Sequence, residues 1–106
     1  MRKVKVKICG LKRAQDIECV NKLLPDYIGF VFAKTKREVT EQQAAQLKAM
    51  LNPQIKAVGV FVNAEIDLIV RLAASRTIDI IQLHGDEDAA YCERLRLQTE
   101  LPIIKA

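Results

Sequence analysis

The sequence predicts an α/β protein built on a parallel sheet, and three observations carry that prediction. Short apolar, β-branched or aromatic runs alternate with helix-periodic stretches in the order βαβαβαβαβ over 106 residues, in units of similar length with no domain break. Such alternation implies right-handed crossovers between parallel strands. Nothing resembles a glycine-rich dinucleotide loop, and polar residues stand at the C-terminal end of every complete strand: Cys9, Lys34 just past the second, Asn63, and Gln82 with His84. An open doubly wound sheet and part of a (β/α) barrel both satisfy the element order, since an open sheet of this kind also has five strands. The ring of polar strand ends favours the barrel, where chemistry collects on that face.

The first strand is read over Lys3 to Cys9, with Val4, Val6 and Ile8 on one face and Lys3, Lys5, Lys7 and Cys9 on the other. Three lysines on one face fit a protected sheet edge or a polar, anion-binding cavity. The thiol at the strand's C-terminal end favours the cavity. Arg13 to Leu24 predicts a helix with Ala14, Ile17, Val20 and Leu24 on one stripe, stopped by Pro25. Tyr27 to Phe32 is the second strand, followed by a loop bearing Lys34, Lys36 and Arg37. Thr40 with Gln43 forms a capping-box pattern for the second helix, whose stripe is Ala44, Leu47 and Leu51 and whose end is Asn52-Pro53. Lys56 to Val62 is the third strand. Asn63 is the expected cap of the third helix, with Ile66, Ile69, Val70 and Ala73 inward. Ile78 to Leu83 is the fourth strand, closed by His84-Gly85. Asp86, Glu87 and Asp88 place negative charge at the start of a fourth helix that runs to about Leu97 and buries Tyr91 and Leu95. Leu101 to Ala106 is the fifth strand.

Composition narrows the function classes. Half the residues are hydrophobic and 28% are charged, as in ordinary globular domains. No apolar run approaches the roughly 18 to 20 residues of a membrane span, and the basic, alternating N-terminus has no signal-peptide core, so a cytoplasmic protein is expected. The three cysteines, Cys9, Cys19 and Cys92, lack metal-ligand spacing and are expected to be free thiols. The net charge of +4 is concentrated: Arg2, Lys3, Lys5, Lys7, Lys12 and Arg13 precede the first acid, Asp16. With five aromatics and no nucleic-acid motif, this basic focus points to a small anionic ligand rather than nucleic acid. Each candidate residue has a plainer alternative: taken alone Cys9 reads as a packing residue and Gln82 as structural, Arg37 has the alternative of a solvated charge run, and His84 fits a turn role as well as ligand contact. Gly10, Gly29, Gly59 and Gly85 read as backbone requirements.

Taken together, the motifs carry a resemblance. Lys7-Ile8-Cys9-Gly10, Gly29-Phe30-Val31-Phe32 with the basic loop ending in Arg37, Gly59-Val60-Phe61-Val62-Asn63, Gln82-Leu83-His84-Gly85-Asp86-Glu87 and Ile104-Lys105-Ala106 follow one another over nearly the whole chain. Their order and spacing resemble the phosphoribosylanthranilate isomerases. The resemblance implies a (β/α)₈ barrel of the TIM type, of which this chain would supply the first four βα units plus strand five as a single N-terminal domain, residues 1–106. It also implies an Amadori rearrangement of N-(5-phosphoribosyl)anthranilate to its ribulose isomer in tryptophan biosynthesis, without cofactor or metal.

Ring opening needs a general acid, and removal of the C2 proton needs a base. By resemblance the base is Cys9, Arg37 holds the anthranilate carboxylate with a planar fork, and His84 lines the pocket. Lys7, one pleat away from Cys9, would lower a thiol pKa from its unperturbed value of about 8.5. Two departures qualify the match. Lys12 stands where the family commonly has threonine, which removes a natural helix cap. The chain is also far short of the roughly 200 residues of a full barrel, so the family's general acid and phosphate-binding loops, which follow later strands, are absent from the sequence. The alternatives are a non-catalytic half barrel or anion-binding module that pairs with another copy or with a C-terminal half, and an open flavodoxin-like domain. The 106 residues by themselves are expected to self-associate through unpaired edges and to be inactive.

Overall fold

The computed structural model describes residues 7–105; Arg2, Lys3 and Lys5, and with them most of the first-strand alternation, lie outside the described residues. Five strands and four helices alternate: β1 (Lys7–Cys9), α1 (Ala14–Leu23), β2 (Tyr27–Val31), α2 (Glu41–Met50), β3 (Lys56–Phe61), α3 (Ile66–Ala74), β4 (Ile80–Leu83), α4 (Ala89–Arg96) and β5 (Ile103–Lys105). The strands form one parallel sheet in the order β1-β2-β3-β4-β5. A doubly wound sheet reverses its order partway and carries helices on both faces. Here each strand is added beside its predecessor, which is the winding of a (β/α) barrel and settles the choice between the two architectures.

The register shows which face the helices cover. Ile28 pairs with Ala57, Phe30 with Gly59, and Gly59 with Ile81; Phe61 pairs with Leu83 one step on. These strand residues share one core with Ile17 and Val20 of α1, Ala44 and Leu47 of α2, Ile69 and Leu72 of α3, and Leu95 of α4. All four helices therefore lie against the same face. Phe30 and Phe61 are fully buried, each contributing about 2 to 3 kcal/mol of transfer free energy. Phe32 stacks on Phe61 with ring centroids 5.2 Å apart. On the opposite face stand Gly29, Val31, Val58, Val60, Ile80, Gln82 and Ile104. Val58 and Val60 there are buried but lie outside the helix-side core, and Ile104 is 47% exposed.

Local chemistry explains most helix ends. Thr40 Oγ1 accepts the Gln43 N–H at 3.0 Å, and Gln43 Oε1 accepts the Thr40 N–H at 3.4 Å, the expected capping box, worth about 1 kcal/mol. Helix α1 ends at Leu24 in the left-handed region (φ 50°), where its N–H reaches the Val20 carbonyl at 2.8 Å before Pro25. Asn21 joins two helices: its amide donates to the Met50 carbonyl (2.9 Å), and its carbonyl oxygen accepts the Asn52 N–H (2.8 Å).

Three expectations are corrected. Asn63 does not cap α3; Glu65 occupies that position, and Asn63 instead adopts a left-handed conformation (φ 49°), which asparagine tolerates better than most residues. The acidic triplet does not simply decorate the start of α4. Asp88 is the N-cap, accepting the Tyr91 N–H at 2.8 Å, whereas Glu87 is buried. Of the expected inner stripe of α3, Ile69 is fully buried, and Leu72 joins it in place of Val70 and Ala73.

Gly59 lies where the helix-side layer is tightest. A Cβ at this position would come within 2.9 Å of the Phe61 ring and 3.0 Å of Ile78 Cγ2. Gly59→Ala is therefore expected to destabilise the fold by about 1 to 3 kcal/mol through overpacking, read as a lowered urea midpoint. An unchanged midpoint would mean that Ile78 and Phe61 move aside freely.

Candidate functional site

Two groups of loops stand over the C-terminal edge of the sheet. The first lies over β1 and β2. Cys9 takes the register position opposite Gly29, and Lys7 the position opposite Tyr27. Gly10 follows with φ +82°, and its N–H donates to the Gly29 carbonyl at 2.9 Å. Only glycine is at ease in that backbone region. The missing side chain matters as well: a Cβ on Gly10 would lie 2.4 Å from Arg37 Cδ. The Arg37 stem thus rests directly on the backbone just past Cys9, although Arg37 is 28 residues away in sequence.

Hydrogen bonds hold that loop in place. The Arg37 N–H donates to Thr35 Oγ1 (3.1 Å), and Lys12 Nζ donates to the Lys36 carbonyl (2.9 Å). Gln43 Nε2 donates to the Lys12 carbonyl (2.9 Å). Arg13, not Lys12, occupies the cap position of α1, and the Asp16 carboxylate accepts the backbone N–H groups of Lys12 and Arg13, at 3.2 and 3.1 Å, together with the Arg13 guanidinium at 3.4 Å. Burial raises the Asp16 pKa, but these hydrogen bonds outweigh it and the net shift is downward. Gly10, Leu11, Lys12, Arg13, Asp16 and Arg37 line an open cavity of about 530 Å³. Asp16 is its only acid and is already engaged, so the cavity is basic.

The second group lies over β3, β4 and β5 and is organised by Glu87. Its side chain is fully buried. One oxygen accepts the Asn63 N–H (2.8 Å); the other accepts the Gly85 N–H (2.9 Å) and the Lys105 ammonium (3.1 Å). Lys105 also donates to the Gly85 carbonyl, and Asn63 Oδ1 accepts the Asp86 N–H at 3.0 Å. Burial pushes the Glu87 pKa up, yet the donors outweigh it and hold the carboxyl below its ordinary value. His84 begins this loop. Its N–H donates to the Phe61 carbonyl at 2.8 Å, and the residue is exposed.

The structure thus brings Arg37 to the end of the strand that carries Cys9. His84 is on the same sheet edge but three strand spacings from β1, roughly 14 Å along the sheet. The sequence pattern did not reveal Glu87, Lys105 or Asn63 as a network. Glu87 sits in an acidic triplet that reads as a helix start, and Lys105 looks like one cation among many. Among the described residues no group of three or more His, Cys, Asp or Glu is placed to hold a metal ion, and no helix is long and apolar enough to cross a membrane.

Because Glu87 has a depressed folded-state pKa, its stabilisation is present above the ordinary value of 4.5 and is lost as pH falls below that value. Glu87→Gln is expected to cost about 1 to 3 kcal/mol at neutral pH and to flatten the acid limb of the stability–pH curve. Parallel curves for the two proteins in chemical denaturation would remove Glu87 as a source of that limb.

Comparison with known proteins matches the chain to one family. The family model of N-(5'-phosphoribosyl)anthranilate (PRA) isomerase matches residues 6–106. The N-(5'-phosphoribosyl)anthranilate isomerase of Lachnoclostridium phytofermentans is 50% identical over 103 residues, covering 97% of this chain and 47% of that protein. The isomerase of Endomicrobium trichonymphae is 49% identical over 102 residues, covering 96% and 51%. The chain spans about half the length of the curated relatives it matches. A crystal structure of phosphoribosyl anthranilate isomerase in complex with reduced 1-(o-carboxyphenylamino)-1-deoxyribulose 5-phosphate superimposes with a TM-score of 0.82 at 33% identity, over 96% of this chain and 52% of that one. The Thermus thermophilus enzyme gives 0.84 at 29% identity, over 96% and 50%. With the family model matching nearly the whole chain and the sequential parallel sheet superimposing on solved members, the chain belongs to the N-(5'-phosphoribosyl)anthranilate isomerase family.

Proposed function

We propose that residues 1–106 form the N-terminal portion of a (β/α)₈ barrel that isomerises N-(5-phosphoribosyl)anthranilate to the corresponding 1-(2-carboxyphenylamino)-1-deoxyribulose 5-phosphate. The observation that carries this reading is the placement of the Arg37 stem across Gly10, immediately after Cys9. A carboxylate clamp beside a thiol base is what proton removal from an anthranilate-bearing Schiff base requires. In this reading Cys9 takes the C2 proton, Lys7 favours its thiolate, Arg37 binds the anthranilate carboxylate and His84 lines the pocket further along the strand ends. The general acid and the phosphate anchor come from the other half of the barrel. The partner is a small anionic substrate, with neither nucleic acid nor membrane involved.

Half coverage of the relatives gives a second reading, a non-catalytic half barrel that works only when paired with another chain. It is favoured by the apolar surface near the last strand, where Leu97 is 85% and Ile104 47% exposed. Sedimentation and turnover of the 106 residues, with and without an added C-terminal half, separate the two. An active, compact monomer of 106 residues would overturn both.

In a complete barrel carrying this sequence, Cys9→Ser is expected to lower kcat by about 10²- to 10⁴-fold, the usual contribution of a positioned base, while product affinity stays nearly intact. Near-normal turnover would refute the assignment. Arg37→Ala is expected to act mainly on KM, by about tenfold or more, as for a charge-assisted contact of about 1.5 to 3 kcal/mol. An unchanged KM would return Arg37 to the solvated loop.

A further inference from the structure

We infer that Lys12 is a positioning residue for Arg37, fixing the carboxylate clamp by tying the β1–α1 loop to the β2–α2 loop. The inference rests on the role proposed for Arg37. Lys12 is bonded at three points that belong to three different segments. Its ammonium donates to the Lys36 carbonyl (2.9 Å), its carbonyl accepts Gln43 Nε2 (2.9 Å), and its N–H donates to Asp16 Oδ2 (3.2 Å). Lys36 immediately precedes Arg37, so the ammonium bond holds the peptide unit from which the Arg37 side chain springs. Gln43 is the residue that closes the cap of α2, and Asp16 belongs to the first turn of α1. Lys12 therefore references Arg37 to the starts of two helices whose inward faces are anchored in the core.

The electrostatics require such a tie. Lys34, Lys36 and Arg37 crowd a loop of exposed residues with one acid, Glu38, and the excess of like charge works against a single loop geometry. A lysine aimed at the loop would add repulsion unless its ammonium had an acceptor, and the Lys36 carbonyl supplies one. Gly10 then takes the Arg37 stem from the other side, because it offers no Cβ to block the approach. The arginine is held between a glycine floor and a lysine strap, and both belong to the β1–α1 loop. A clamp held this way loses less side-chain freedom when the carboxylate arrives.

The test is kinetic and uses the full-length isomerase that carries this sequence, with Lys12→Met, Lys12→Arg, Arg37→Ala and the Lys12→Met/Arg37→Ala pair. Lys12→Met is expected to raise KM about three- to tenfold with kcat little changed. Lys12→Arg, which keeps a donor, should restore KM, and Lys12→Met should add nothing once Arg37 is already alanine. A silent Lys12→Met beside a raised KM for Arg37→Ala would overturn this inference and leave the Arg37 reading standing. A silent Arg37→Ala would overturn both. An undiminished Lys12 effect in the Arg37→Ala background would show that Lys12 meets the substrate itself, which also overturns it. Tryptic cleavage after Lys36 and Arg37 gives a readout without turnover. The native protein should be cut faster as Lys12→Met but not as Lys12→Arg, and equal rates in all three would mean the strap does not hold the loop.

Discussion

The helices cover only one face of this sheet, and the rest of the molecule follows from that constraint. A parallel sheet covered on both faces can use continuous apolar strands. Here the two faces of each strand do different work. Ile28, Phe30, Ala57, Phe61, Ile81 and Leu83 build the helix-side core, while Gly29, Val31, Val60 and Gln82 occupy the other side. Sequential strand order is what permits this, since right-handed crossovers that all advance in one direction return every helix to the same side. Order and one-sided burial also put the loop after each strand on one edge, so groups distant in sequence meet there.

That edge is braced in two places by opposite means. Over β1 and β2 the tie is a cation on a backbone carbonyl, Lys12 on Lys36, with Asp16 gathering the N–H groups at the start of α1. Over β3 to β5 it is a buried carboxylate, Glu87, gathering N–H groups from Asn63 and Gly85 and the ammonium of Lys105. Breaking the Glu87 network would strand the backbone donors of Asn63 and Gly85, each costing of order 1 kcal/mol or more. The surface pair Arg71–Glu41, at 2.7 Å between α3 and α2, holds Glu41 ionised but lies in water and adds little.

Most of the fold was legible in the sequence because its signals are local. Thr40 with Gln43, Leu24-Pro25 and the apolar runs of β2, β3 and β4 each act through neighbours along the chain. Strand order was legible only indirectly, through the polar strand ends and the family resemblance. Two windings satisfy the same βα alternation, and long-range pairing is what separates them. The site divides the same way. Cys9, Gly10 and Arg37 could be picked out from motifs, but their juxtaposition depends on a glycine without a Cβ meeting a side chain 27 residues on. Glu87 and Asn63 misled because their residue types have strong local meanings, helix-start charge and cap. Tertiary hydrogen bonds override both.

The charge left over after these ties bears on what the half barrel can hold. Over β3 to β5 the Lys105 ammonium is occupied by Glu87 and the Gly85 carbonyl. Over β1 and β2, Arg37 shares its cavity with Lys12, Arg13 and the engaged Asp16, and its loop carries Lys34 and Lys36 with one acid, Glu38. The described residues therefore offer a basic corner over β1 and β2. A substrate with a carboxylate at one end and a phosphate at the other needs two such corners, separated by a ribose. Under the proposed function, this sequence holds the aromatic acid end and the base, and the phosphate end must be met by strands beyond β5. The coupling between the halves is then electrostatic as well as structural, because a substrate gripped only by Arg37 would be free to swing its ribose away from Cys9.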